Sequence, residues 1–115
     1  GGGKIEEVSG EQVIRRHKLS RCSRDTPILR ELGGKERVVV GLAEIYQLIA
    51  RQPNGESGVL NTDAYANIFY VKDCADRLVA VAVDWRTAGW RVSAFQLDSP
   101  EPWCGENNVF SRLYH

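Results

Sequence analysis

The sequence predicts an α+β fold: an antiparallel sheet of four or five strands, with one main helix over 42–52 packed on one face. Three observations predict it. Runs rich in β-branched and aromatic residues at 65–72, 77–85 and 90–97 are separated only by the gaps 73–76 and 86–89, the spacing of a meander. Leu42, Ile45, Tyr46 and Ile49 fall at i, i+3, i+4 and i+7, the stripe of an amphipathic helix. The chain has 115 residues, 43% of them hydrophobic and 26% charged, which suits a single domain with its own core.

Residues 1–3 are glycines and the chain has no Met, so 1–3 read as a tag remnant or trimmed start, and 4–36 as an N-terminal segment of the one domain 1–115. Ser9, with Gln12 three positions on, matches a capping box. A short helix through about Lys18 is expected to follow, with Val13, Ile14 and His17 on one side. Its remaining positions open a basic cluster: Arg15, Arg16, Lys18, Arg21 and Arg24. Thr26-Pro27 reads as a second helix start, because proline in the first turn sacrifices no hydrogen bond, and Gly33-Gly34 ends it after Leu32.

Val38-Val39-Val40 is β-branched and suits a strand. The main helix begins after Gly41, carries Glu44 in its first turn, and is stopped by Pro53-Asn54-Gly55. Residues 58–61 read as a short extended piece. Pro100 and Pro102 make 98–102 a loop, and 108–113 is expected to return as a last strand at a sheet edge.

Taking the gaps as four-residue loops, the register can be written out. Trp85 faces Trp90, Asp84 faces Arg91, Val83 faces Val92 and Val81 faces Ala94. In the preceding hairpin Tyr70 faces Val79, Ile68 faces Val81 and Ala66 faces Val83. Alternation then sorts side chains onto two faces. The first, with Ala66, Ile68, Tyr70, Val79, Val81, Val83, Trp85, Trp90, Val92 and Ala94, is apolar but for Gln96 and should receive the main helix. The second is divided: Phe69, Val71, Leu78, Ala80, Phe95 and Leu97 make one end apolar, and Tyr65, Asn67, Asp84, Arg91 and Ser93 make the other polar. The apolar half needs cover, either from the N-terminal segment (Val13, Ile14, Ile28, Leu29, Leu32) or from a second subunit.

The polar end is the candidate ligand site. Tyr65, Asn67, Asp84, Arg91 and Ser93 gather donors, acceptors and a charge pair beside aromatic surface. The same residues also suit a solvated sheet end, where Asp84 opposite Arg91 contributes roughly 0.2–1 kcal/mol. No nucleophile–base pairing is visible, so the reading leans against an enzyme. Trp85 and Trp90 suggest a stacking platform, but they fall on the core face, where cross-strand packing accounts for them. The five basic residues could contact nucleic acid, but fifteen bases balance fifteen acids, which argues against a general electrostatic binder. Cys22, Cys74 and Cys104 are an odd, widely spaced set, and the two histidines are scattered. This spacing suggests no metal site, cofactor or disulfide framework, and points to a reducing, cytoplasmic setting. No stretch is long and apolar enough to span a membrane.

The segments 52–58, 67–71, 83–85 and 109–112 resemble small uncharacterised bacterial α+β proteins, over roughly residues 38–112. The resemblance implies a bacterial, stand-alone domain and no specific activity. The sequence therefore reads as a small non-enzymatic binding or interaction domain, self-associating as a homodimer through uncovered sheet. The alternatives are a small-molecule or hydrolytic site around Asp84 and Arg91, and nucleic-acid contact through the basic cluster.

Overall fold

The computed structural model describes residues 5–9, 12–63, 65–98 and 102–112. The meander is present as β3 (Asn67–Lys72), β4 (Leu78–Arg86) and β5 (Gly89–Phe95). The class is α+β, but the sheet is larger than expected and mixed. Among the described residues six strands form it, in the order β1-β2-β6-β3-β4-β5, where β1 is Ile5–Ser9, β2 is Gln12–Lys18 and β6 is Asn108–Arg112. β6 runs antiparallel to β2 and parallel to β3, with Val109 opposite Ile68.

Two expectations are corrected here. The segment read as a helix through Lys18 is a hairpin, with Ser9 opposite Gln12 across β1 and β2. The spacing that matches a capping box also matches a tight turn, and pairing of β2 with the distant β6 favours the extended form. β6 itself lies inside the sheet rather than at its edge, and that placement makes the sheet mixed.

The β4–β5 register agrees with the sequence reading, Trp85 opposite Trp90 and Asp84 opposite Arg91. The β3–β4 register is one residue away from it: Tyr70 faces Ala80, Ile68 faces Ala82 and Asn67 faces Val83. The turn supplies the reason. The Asp76 N–H donates to Asp73 O at 3.0 Å, and the Asp73 N–H donates to Arg77 O at 2.8 Å. Asp76 adopts a left-handed φ of 63°, and the Asp73 carboxylate accepts the Ala75 and Arg77 N–H groups, each at 2.9 Å. Asp73 therefore pairs with Arg77 around three residues, with Asp76 as a bulge, in place of a plain four-residue loop.

One residue of shift turns β3 over. Phe69 and Val71 face α3 (Leu42–Ala50), where they join Val81, Val83, Ile45, Leu48, Leu60 and Phe110 in a buried cluster. Phe69 and Phe110 stack with centroids 4.5 Å apart. Ile68 and Tyr70 face the other way, into a second cluster with Ile28, Leu29, Val38, Ala80 and Val109. α1 (Asp25–Glu31) and α2 (Lys35–Val38) supply that cover, so the N-terminal segment covers the apolar end of the second face. Ile28, Leu29 and Leu32 serve as expected; the side chains of Val13 and Ile14 lie outside the described residues.

α3 keeps its start, with the Glu44 carboxylate accepting the Gly41 N–H at 2.9 Å. Its buried stripe is rotated, though. Ile45 and Leu48 are buried while Leu42 and Tyr46 are exposed, because the helix settles on the sheet by Leu48 rather than Leu42. Of the valine triplet, Val38 ends α2, and only Val39 and Val40 are extended, bridging to Tyr70. Residues 58–61 form no strand; the Gln52 side chain holds them, accepting from Leu60 N–H at 2.9 Å and donating to Leu60 O at 3.1 Å.

Asp25 links the second cluster to the loop after β5. Its carboxylate is buried and accepts three donors: the Tyr70 hydroxyl at 2.6 Å, Trp103 Nε1–H at 2.7 Å and the Asp98 N–H at 2.8 Å. Burial first, then the carboxylate beside it, pushes the Tyr70 phenol far above its ordinary pKa, so it stays a donor. Asp98 in turn accepts from the Thr26 N–H at 2.9 Å and from its hydroxyl, closing the first turn of α1.

Phe69→Ala, read by urea denaturation, is expected to cost about 3–5 kcal/mol, since Phe69 belongs to the α3 core. A cost typical of an exposed position would contradict the β3 register. Tyr70→Phe, measured the same way, should cost about 1–3 kcal/mol through the lost donor to a buried carboxylate.

Candidate functional site

The second sheet face stays open next to β5. A shallow cavity of about 350 Å³ lies there, between β4, β5 and the loop that leads into β6. β4 contributes Ala82, Asp84 and Arg86, which share a face by strand alternation, and β5 contributes Arg91, Ser93 and Phe95 for the same reason. Tyr65 reaches the cavity from the segment before β3, where alternation does not apply, and Trp103, Cys104 and Asn107 close it from the loop.

Four of the five residues expected from sequence thus come together: Tyr65, Asp84, Arg91 and Ser93. Asn67 does not. The shifted register puts it on the α3 face, fully buried, where its Nδ2 donates to Asn61 O and Val83 O, both at 3.1 Å, and its Oδ1 accepts the Asn61 N–H at 2.8 Å. It ties the 61–67 loop to the sheet and is unavailable to a ligand.

Asp84 is the electrostatic centre of the cavity. Arg91 grips it with two bonds, Nε to Oδ1 at 3.1 Å and a terminal nitrogen to Oδ2 at 2.9 Å. Arg86 adds Nε to Oδ2 at 2.7 Å. Burial opposes ionisation of this carboxyl, but the hydrogen bonds from Arg91 and Arg86 outweigh it and hold the pKa below the usual carboxylate range. The carboxylate side chain is 8% exposed, whereas those of Arg86 and Arg91 are 53% and 56% exposed. The cavity therefore presents guanidinium N–H groups outward and keeps its negative charge beneath them.

Arg86 was legible by alternation, two positions beyond Asp84, but the predicted strand stopped at 85. Phe95, which alternation places at the apolar end, borders the cavity in the fold, in edge contact with Trp103 at 5.6 Å. Trp103 has no local sequence signal, since the Asp25 bond, the backbone pairing with Ser23 and packing on Phe95 and the second cluster, all long-range, fix its place. Trp85 and Trp90 lie on the α3 side as expected, edge to face at 5.2 Å, with Trp90 Nε1 donating to Gln52 O.

The basic residues do not form one patch. Arg15 and Arg16 are consecutive on β2 and point to opposite faces. Arg16 donates to Val59 O at 2.9 Å, and Lys18 pairs with Glu106 at 2.7 Å. Arg21 and Arg24 sit further on, before α1. The β2–β6 pairing also creates a contact that the helical reading of β2 concealed: His17 Nε2 and Ser111 Oγ lie 2.9 Å apart. Ser111 is buried. Cys22, Cys74 and Cys104 are exposed, and among the described residues no three His, Cys, Asp or Glu side chains are grouped to hold a metal. No helix among them is long and apolar enough to cross a membrane.

Comparison with protein-family models, with curated proteins and with solved structures finds no match to the chain.

The carboxyls of Asp73, Asp84 and Asp98 all have folded pKa values lowered from their ordinary ones: Asp73 first through the Arg77 N–H, Asp84 by its arginines against burial, and Asp98 first through the Thr26 hydroxyl. Their contribution to stability is thus complete above the unfolded carboxyl pKa, about 3.9, and is lost as pH falls through the lowered folded values. Denaturation midpoints should therefore drop as pH falls below about 4, and Asp84→Asn should make that drop shallower. An unchanged slope in the variant would contradict the arginine-held carboxylate.

Proposed function

We propose that the protein is a non-enzymatic binding domain whose ligand site is the cavity beside β5. The observation that carries this reading is the division of labour on the second face. α1, α2 and the loop after β5 cover its apolar end, while the polar end stays open and concave. Four polar or aromatic residues predicted for a site converge there with Arg86, and the cavity volume of about 350 Å³ suits a small molecule. A hydrolytic role draws no support from the cavity. Asp84 has both oxygens occupied by guanidinium donors, which disfavours a base, and neither His17 nor Ser111 lines the cavity.

Self-association stands as a second reading, moved from the face to the edge. With the apolar end covered, the face no longer calls for a partner, but β5 ends the sheet and has only β4 as a strand neighbour among the described residues. Its outer backbone groups offer pairing to another strand. Light scattering over a range of concentrations should then give a mass that rises toward a dimer; a constant monomer mass removes this reading.

The cavity reading is tested by filling it. A panel of neutral, cationic and anionic single-ring compounds, followed by amide NMR shifts, should perturb residues 82–86 and 91–95. Ser93→Trp should abolish those shifts while changing stability by no more than about 0.5 kcal/mol, because Ser93 belongs to neither buried cluster. Shifts confined to other surfaces, or unaffected by the plug, would remove the assignment.

A further inference from the structure

We infer that this cavity selects a small organic anion carrying a planar ring: a carboxylate or phosphate held by Arg86 and Arg91, with the ring against Tyr65 and Phe95. The inference rests on the cavity being the ligand site and adds the ligand's chemistry. Charge decides the polar half. The charged side chains lining the cavity are Asp84, Arg86 and Arg91, a net charge of +1. Asp84 cannot serve a cation, because its two oxygens already accept three N–H groups and it lies beneath the guanidiniums. Arg86 commits only its Nε to Asp84, and Arg91 its Nε and one terminal nitrogen. Each guanidinium carries five N–H donors, so both retain several while being more than half exposed. Donors in that fork match the oxygens of a carboxylate or phosphate.

Exposed apolar surface decides the other half. The exposed large hydrophobic residues among those described are Leu42, Tyr46, Tyr65 and Phe95. The first two lie together on the outer side of α3, and the last two both line this cavity. Two exposed aromatic side chains beside two arginines favour a flat, polarisable ligand, which contacts ring surface and gains stacking against guanidinium planes. Trp103 is not part of that offer in the same way: its indole N–H is engaged by Asp25, so it forms a fixed wall. Asp84 acts as a positioning residue, since it holds both guanidiniums in one orientation before any ligand arrives.

The test compares phenyl phosphate and benzoate with inorganic phosphate, phenol and benzylamine, each titrated at low salt and followed by amide shifts in residues 82–95. Phenyl phosphate and benzoate should bind more tightly than inorganic phosphate, phenol or benzylamine. Arg86→Gln, which leaves the Arg91–Asp84 bonds in place, should weaken phenyl phosphate about tenfold and leave phenol unchanged. Inorganic phosphate binding as tightly as phenyl phosphate would overturn the ring contact. Phenol or benzylamine matching the anions would overturn the anion selectivity while the cavity reading stands. If no compound of any charge moves these resonances, the cavity reading itself fails and this inference with it.

Discussion

The register of β3 against β4 is the constraint on which the rest of the molecule depends. It is set in the turn by Asp73, whose carboxylate gathers two backbone amides, and by Asp76, which takes the left-handed conformation and drops out of the pairing. From that turn, every β3 side chain receives its face. Phe69 goes to the α3 core and stacks on Phe110, and Tyr70 goes to the α1 core and reaches Asp25. Asn67 leaves the open face and becomes a buried clamp. A side-chain period of two makes such a shift all or nothing, so one extra residue in a turn rearranges two cores and one site together.

Buried polar groups then tie the irregular segments to the sheet. Asp25 joins the start of α1, strand β3 and the loop carrying Trp103 through three donors. Gln52 does the same for the 56–60 segment, and its backbone carbonyl accepts from Trp90. Gly55 is required where that loop passes over Trp85. Its φ is 72°, and a Cβ there would lie 2.3 Å from the indole. The partners of Asp25, the Trp90 bond to the Gln52 carbonyl and the approach of Gly55 to Trp85 are all far apart in sequence, so these loop positions are tertiary properties. The Gln52 side chain, by contrast, folds its own 56–60 segment locally.

The cavity follows from both features. Strand alternation lays Asp84, Arg86, Arg91 and Ser93 on one face, while the Asp25 linkage fixes Trp103 as the wall opposite. Its character comes from layering: a buried carboxylate holds two arginines that face solvent. An isolated exposed ion pair has little energetic weight. Here three hydrogen bonds converge on one buried group, which gives the guanidiniums a defined orientation.

The sequence by itself determined the α+β class, the helix beginning at Leu42, the three meander strands, and the Asp84–Arg91 and Trp85–Trp90 pairings. These rest on local signals: a period of 3.6 in the helix, a period of two in the strands, and a β4–β5 connection whose register is the same read as two residues or four. Tertiary structure alone decided the rest. Ser9 to Lys18 became a hairpin because β6, almost a hundred residues further on, pairs with β2, which no local spacing announces. β6 entered the middle of the sheet for the same reason. The β3 register turned on a single backbone conformation at Asp76, where an aspartate rather than a glycine adopts positive φ and leaves no obvious mark in the sequence. Tyr65, Asp84, Arg91 and Ser93 were therefore legible as neighbours, whereas Asn67's departure and Trp103's arrival depended on long-range contacts that only the folded chain makes.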